Sequence, residues 1–176
     1  MNNEFEIITV SSVDDDLCTG LALLTINVVK QGASVGFMDD LTMEQAQNFW
    51  KKIFGRVARD EVVLFAARHV PSRQIVGTVQ LAVDLPPNQP HRGDVAKMLV
   101  HSAYRRRGIA SRLLSTLEIE ARERSRHILV LDTVTESPAY YLYLKYGWQV
   151  VGNIPEYALF PNGQYCSTTY FYKKLN

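Results

Sequence analysis

The sequence predicts an α/β fold with seven strands and four helices in the order βααβββαβαββ. Three observations predict it. The 176 residues, 47% hydrophobic and 21% charged, suffice for one domain with a full hydrophobic core. Segments that alternate apolar and polar residues are interspersed with segments whose apolar residues recur at helical spacing. No repeat, low-complexity tract or linker divides the chain, so we expect residues 1–176 to form a single domain.

The first half of the chain predicts a strand, two helices and a hairpin. Residues 4–10 alternate as a strand does, and residues 14–30 carry Leu17, Leu21, Leu24 and Val28 at helical spacing. Thr42-Met43-Glu44-Gln45 has the pattern of a capping box, which predicts a second helix ending near residue 59. The β-rich runs 62–69 and 74–83 flank a proline-containing turn, which predicts an antiparallel hairpin.

The second half predicts four more strands and two more helices. A strand over 94–100 leads through a glycine turn into a helix over 108–126, and a short apolar strand of the buried type follows at 128–133. Ser137 and Pro138 are typical of a helix start and Gly147 of a helix end. The last strands are expected at 148–154 and 165–175, joined by a loop that contains Pro155 and Pro161.

Composition argues against several classes of protein. The net charge of +1 is low for a general nucleic-acid binder. No apolar run approaches the length of a membrane span, and Met1-Asn2-Asn3-Glu4 lacks the features of a signal peptide. We therefore expect a cytoplasmic protein with neither nucleic acid nor membrane as partner. Cys18 and Cys166 could form one disulfide, but they make no metal-ligand pattern, so we expect reduced cysteines and no metal.

The most informative segment joins the strand at 94–100 to the following helix. It contains three arginines and then a glycine, Arg105-Arg106-Arg107-Gly108. The first backbone N–H groups of a helix have no partner within the helix, and the helix dipole adds positive charge there, so such a turn binds anions. Arginines around it can add charge-assisted contacts to phosphate oxygens. A solvated run of charges is the structural alternative.

Two segments carry a resemblance to a known family. Arg105-Arg106-Arg107-Gly108-Ile109-Ala110 resembles the coenzyme A loop of the GCN5-related N-acetyltransferases (GNAT), and residues 136–148 resemble the second signature of that family through Ala139, Leu142, Tyr143, Lys145 and Gly147. Glu136 stands where the family usually has Asn, with Ser137 as a possible substitute. Residues 32–38, Asp40-Leu41 and Leu131-Asp132-Thr133 are similar to the tabtoxin-resistance acetyltransferases, which acetylate an amino group of a small amino-acid toxin.

The resemblance implies a mixed, twisted, mostly antiparallel sheet whose fourth and fifth strands splay apart. Acetyl-CoA would be the co-substrate, inserted in the gap. Its pantetheine arm would pair with the backbone of Met98, Leu99 and Val100, one of whose N–H groups would meet the oxyanion. The other residues implied in binding acetyl-CoA are Arg105, Arg106, Arg107, Gly108, Ile109, Ala110, Ser111 and Ser137.

Three side chains are candidate catalytic groups. An alkyl ammonium must lose a proton before it attacks a thioester, and Asp94 and Asp132 are the candidate bases. By strand alternation Asp94 would share an apolar row with Ala96, Met98 and Val100, which would raise its pKa. Both carboxylates could instead bind the substrate ammonium, or Asp94 could pair with Arg92 and Asp132 could cap a turn. The resemblance gives Tyr143 the role of donating a proton to the leaving thiolate, and core packing is the alternative.

The acceptor side is expected near Phe37 and Met38, because loops seldom carry adjacent large apolar side chains. These two residues line an acceptor pocket or pack against the first two helices. The resulting hypothesis is an enzyme that acetylates a primary amine of a small molecule, such as an amino-acid-like toxin or antibiotic, by direct attack on the thioester. A protein or peptide acceptor and a non-catalytic acyl-CoA-binding module are the alternatives, and both monomer and homodimer remain open.

Overall fold

The computed structural model describes residues 4–12 and 14–175 and confirms the predicted order of elements. The strands are β1 (Phe5–Thr9), β2 (Val62–His69), β3 (Ile75–Ala82), β4 (Arg92–Val100), β5 (Ile128–Val134), β6 (Gln149–Leu159) and β7 (Tyr165–Lys174). The helices are α1 (Asp15–Lys30), α2 (Met43–Ala58), α3 (Ile109–Glu123) and α4 (Pro138–Lys145). A 3₁₀ helix at Ser102–Tyr104, which the sequence did not predict, follows β4.

The strands form one sheet in the order β1-β2-β3-β4-β5-β7-β6. Every neighbouring pair is antiparallel except β4 and β5, which run parallel. These two strands pair over only three positions, from Arg92 opposite Ile128 to Asp94 opposite Val130, whereas β5 pairs with β7 along its whole length. Within residues 4–12 and 14–175, the remainder of β4 beyond Asp94 therefore has a strand partner only on the β3 side. The expected splay between the fourth and fifth strands is confirmed.

Local side-chain caps fix where the helices begin. The Asp14 carboxylate accepts a hydrogen bond from the Leu17 N–H at 2.5 Å at the start of α1. At α2 both halves of the predicted capping box form between Thr42 and Gln45. Each such cap satisfies N–H groups that have no partner within the helix and contributes about 1 kcal/mol.

Hydrophobic cores cover both faces of the sheet. On one face α3 and α4 pack around Leu113, Leu117 and Phe171, each fully buried. On the other face α1 and α2 pack around Leu64 and Trp50. The buried Trp50 indole N–H donates to the Thr25 hydroxyl at 2.9 Å, so this large side chain enters the core with its polar group satisfied. None of the helices in the described part of the chain is long and apolar enough to span a membrane.

Strand β4 contains a β-bulge that overturns one prediction. Ala96 lies opposite Gln80 but Leu99 lies opposite Thr78, so β4 carries one more residue than β3 between these pairs. Lys97, within this stretch, has φ +52°, the left-handed conformation that the first residue of a G1 bulge adopts. The prediction that Asp94 shares one face of β4 with Met98 and Val100 is therefore wrong, because the extra residue reverses the alternation of side chains. Asp94 and Ala96 lie on the face covered by α1 and α2, and Met98 and Val100 pack on the α3 side.

Strand β6 ends five residues later than predicted and includes Pro155. Pro155 is tolerated because β6 lies at the edge of the sheet and the β6–β7 register shifts between Ile154 and Ala158. At such a position proline removes no ladder hydrogen bond. The extension carries Tyr157 and Ala158 to the mouth of the gap between β4 and β5.

Candidate active site

A cavity of about 300 Å³ lies where β4 and β5 diverge. Strand β4 contributes residues 95–99 to its wall, and β5 contributes Asp132, Thr133 and Val134. The rest of the lining comes from α4, from β6 and β7, and from the loop between α1 and α2: Ala139, Tyr143, Tyr157, Ala158, Cys166, Ser167, Thr168, Ser34, Val35 and Gly36. The cavity thus exposes the unpaired edge of β4 to several polar groups.

The start of α3 has the features of an anion site. Gly108 is the N-cap residue, with φ +78°, and no side chain caps the helix. An added Cβ at Gly108 would meet nothing within 4 Å, so the first amides of α3 are open to a ligand. A phosphate at this position would accept from those amides and would be favoured by the helix dipole. The residues present therefore fit the diphosphate end of acetyl-CoA.

The arginines before Gly108 differ in what they contact. Arg107 Nη1 donates to Glu4 Oε1 at 2.8 Å, and its guanidinium lies over the Tyr104 ring, 5.4 Å from the centroid. Arg107 is therefore directed toward the N-terminal strand. Arg105 and Arg106 are exposed on the turn. Ser111, in the first turn of α3, accepts a hydrogen bond from the Tyr146 hydroxyl, which links the start of α3 to the end of α4.

The structure brings two of the three predicted catalytic side chains together. Asp132 and Tyr143 line the same cavity, and the Asp132 carboxylate accepts a hydrogen bond from the Thr168 hydroxyl at 2.8 Å. Tyr143 is only 4% exposed and packs 5.5 Å from the Trp148 ring. Burial, and secondarily the Asp132 charge, raises the pKa of Tyr143, so the phenol remains a proton donor. Tyr143 therefore packs in the core and also lines the cavity.

Asp94 lies elsewhere. It sits where β4 and β5 are still paired, opposite Val130, and its carboxylate accepts a hydrogen bond from Arg92 Nη1. The apolar row that was expected to surround it does not form, because of the bulge. Among the described residues, those that line the cavity begin on β4 at Val95. Asp94 therefore forms the pair with Arg92 that was the alternative to a catalytic role.

Ser137 accepts a hydrogen bond from the Tyr140 N–H at 3.2 Å and so caps α4. Its neighbour Ala139 lines the cavity. A contact from Ser137 to the pantetheine arm stays a prediction.

Sequence reasoning missed Lys97, which also lines the cavity. Its Nζ donates to the Val35 carbonyl at 2.8 Å and lies over the Phe49 and Phe37 rings, 5.4 and 5.8 Å from their centroids. Burial lowers the pKa of Lys97, and the Asp132 charge opposes that effect. The signal available in the sequence was a single lysine within the apolar end of a strand.

A second, more open cavity of about 530 Å³ adjoins the first, with which it shares Ser34, Gly36 and Ala158. Phe37, Met38 and Asp40 also line it. Phe37 packs edge-on against Phe49 of α2, with ring centroids 5.2 Å apart, so it both lines a cavity and packs on a helix. The described residues contain no group of three or more His, Cys, Asp or Glu side chains that could hold a metal ion.

Comparison with known proteins agrees with this geometry. Residues 57–150, more than half of the chain, match the family model described as an acetyltransferase (GNAT) domain. A ribosomal-protein-alanine N-acetyltransferase from Brucella melitensis is 21% identical over 97% of this chain and 99% of its own, with a TM-score of 0.77. A GCN5-related N-acetyltransferase from Kribbella flavida is 19% identical over 99% of this chain and 100% of its own, with a TM-score of 0.78.

The putative acetyltransferase yncA from Salmonella typhimurium, solved with its cofactor acetyl-CoA, is 16% identical over 99% of this chain and 95% of its own, with a TM-score of 0.77. At these identities the likeness establishes a shared fold. The match to the family model over the strand, the glycine turn and α3 goes further, and this chain belongs to the GNAT acetyltransferase family.

Proposed function

We propose that this protein, as a single domain, transfers an acetyl group from acetyl-CoA to a primary amine of a small molecule. The observation that carries the proposal is the gap between β4 and β5, which has the uncapped start of α3 on one face of the sheet and the cavity around Phe37 on the other. A thioester held along the free edge of β4 would reach from one to the other. The family match supports acetyl-CoA as the donor.

Acetyl-CoA binding is assigned to two groups of residues. The backbone amides from Gly108 to Ser111, with Arg105 and Arg106 nearby, are suited to the diphosphate. The free backbone edge of Met98, Leu99 and Val100 is suited to the amides of the pantetheine arm, which would pair with it as an added strand does. Acetyl-CoA supplies the thioester carbonyl that the amine attacks.

Proton movement is assigned to Asp132 and Tyr143. The Asp132 carboxylate, oriented by the Thr168 hydroxyl, binds the incoming ammonium and accepts its proton, directly or through water. The new bond joins the amine nitrogen to the acetyl carbon, and the C–S bond breaks. The Tyr143 hydroxyl donates a proton to the departing sulfur. It regains one, through water, from the nitrogen, which loses its second proton as the amide forms, so the products are an amide and a thiol. The position of Asp94 gives less support to its predicted role as a base.

The acceptor side favours a small molecule over a protein chain. Residues 33–41 cover it, and hydrogen bonds fasten them to the β6–β7 hairpin. Ser34 Oγ donates to the Leu159 carbonyl at 2.6 Å and accepts from Cys166 Sγ at 3.5 Å, and the Asp39 N–H donates to the Pro161 carbonyl at 3.2 Å. The wall combines the apolar Phe37 and Met38 with the Asp40 carboxylate. This combination is suited to an amino-acid-like amine, in keeping with the resemblance to the tabtoxin-resistance acetyltransferases.

The test is thiol release from acetyl-CoA with a panel of amino-acid-like amines and a panel of peptides. We expect turnover with members of the first panel, and activity on peptides alone would reject the proposal. Asp132→Asn should retain acetyl-CoA binding and lose most turnover, whereas Asp84→Asn, a change of the same kind in a remote loop, should leave both unchanged. Binding of acetyl-CoA without turnover on any amine would instead indicate a non-catalytic acyl-CoA-binding module.

A further inference from the structure

We propose that Lys97 is a positioning residue that fastens the acceptor loop, residues 33–41, to β4 and thereby sets the affinity for the acceptor amine. The proposal rests on the proposed function, because it concerns the acceptor side of the same site. The Lys97 ammonium contacts the acceptor loop and α2 rather than the start of α3, so its loss should affect the acceptor side and not the diphosphate site.

The β-bulge is what makes the contact possible. The left-handed conformation of Lys97, φ +52°, accompanies the extra residue of β4, and the side chain reaches the loop between α1 and α2. There Nζ donates to the Val35 carbonyl at 2.8 Å. An added Cβ at Gly36 would lie 3.4 Å from Nζ, so the loop backbone passes directly over the ammonium group.

Two aromatic rings complete the surroundings of the ammonium. Phe37 belongs to the acceptor loop and Phe49 to α2, and their rings meet nearly perpendicular, at 89°. Nζ lies within 6 Å of both centroids, the range in which a cation is attracted to a ring face. One cation therefore joins the strand, the loop and the helix.

Fold stability alone does not account for a lysine here. Burial of Lys97 disfavours its charged form, and an unbranched apolar side chain such as methionine would fill similar space without that cost. An apolar side chain would, however, give no directed bond to the Val35 carbonyl. What the ammonium adds is a fixed position for the acceptor loop.

The loop position matters because two loop residues, Ser34 and Gly36, line both cavities. A shift of this segment would change the passage between the thioester and the acceptor. It would not move the amides at Gly108, which lie with α3 on the opposite face of the sheet. Loss of the Lys97 contacts should therefore weaken acceptor binding selectively.

The experiment compares Lys97→Met with Lys97→Arg, using the best small amine from the panel. Loss of the cation should raise the acceptor KM about tenfold or more, with the KM for acetyl-CoA and the melting temperature little changed. Arginine keeps the charge and a donor, so Lys97→Arg should recover most of the acceptor affinity. Lys51→Met, the same replacement at an exposed position on α2, should leave every parameter unchanged.

Hydrogen exchange of the amides in residues 33–41, measured without substrates, provides a readout that needs no activity. Exchange should be faster in Lys97→Met and close to wild type in Lys97→Arg. Phe49→Leu, which removes one ring from outside the loop, should give a smaller change in the same direction and serves as a second variant if Lys97→Met folds poorly.

Unchanged exchange in the loop of Lys97→Met, or of Phe49→Leu should that variant be needed, would overturn the inference. So would an acceptor KM and an acetyl-CoA KM that rise together. If the wild-type protein acetylates no small amine, the proposed function fails, while the exchange experiment still decides whether Lys97 holds the loop.

Discussion

Replacing Gly108 with alanine tests the anion site at the start of α3. Gly108 adopts φ +78°, a conformation that costs a residue with a side chain roughly 1–2 kcal/mol. An added Cβ there meets nothing within 4 Å, so no packing contact holds the turn against relaxation in the free protein. Acetyl-CoA would then have to restore the strained turn, and its affinity should fall by about 5- to 30-fold.

Gly163→Ala is a matched control. Gly163 has φ +86° and equally open surroundings, but it lies in the turn between β6 and β7. The substitution should cost similar strain while leaving acetyl-CoA affinity unchanged. Isothermal titration calorimetry on both variants measures the difference. Equal affinity of Gly108→Ala and wild type, or an equal loss in Gly163→Ala, would refute the assignment of the diphosphate to this turn.

Three further predictions concern the core and the cavity. Burial lowers the pKa of Lys97 from 10.5, so between the lowered pKa and 10.5 the unfolded chain binds more protons than the folded one, and the free energy of unfolding rises with pH. Urea unfolding at increasing pH should show this gain in wild type and not in Lys97→Met. Equal dependence of the unfolding free energy on pH in the two proteins would contradict the prediction. Tyr143→Phe should lower kcat roughly tenfold, less than the usual 10²–10⁴-fold effect of general acid catalysis, because a thiolate is a tolerable leaving group. Burial raises the pKa of Tyr143, so the loss of kcat should be the same at pH 7 and pH 9. A loss that vanishes at pH 9 would argue against proton donation. Leu113→Ala removes a fully buried side chain and should cost about 2–5 kcal/mol in urea unfolding, whereas a cost below about 1 kcal/mol would mean that the core collapses to fill the space.

Local signals in the sequence predicted the local structure. The capping box at Thr42 and Gln45 forms as expected, because a cap depends on residues three positions apart. Ser137 and Pro138 likewise begin α4. The glycine turn before α3 was recognised for the same reason, since its geometry depends on neighbours in the chain.

Features set by strand pairing were not predictable in the same way. The bulge at Lys97 is a mismatch between β4 and β3, and nothing in the β4 sequence alone marks it. As a result, strict alternation grouped Asp94 on one face with Met98 and Val100, which lie on the opposite face, and it gave no role to Lys97. Pro155 was interpreted as a strand end, because only the position of β6 at the sheet edge makes a proline there acceptable.

Because β4 and β5 pair at only three positions, the sheet is divided into two unequal parts, here called blades: β1 to β4 and β5 to β7. Among the described residues, the rest of β4 and β5 has no ladder pairing between the two strands. A molecule that hydrogen-bonds along residues 95–100 would take the place of the missing ladder, so we expect the two blades to move less relative to each other when the gap is occupied.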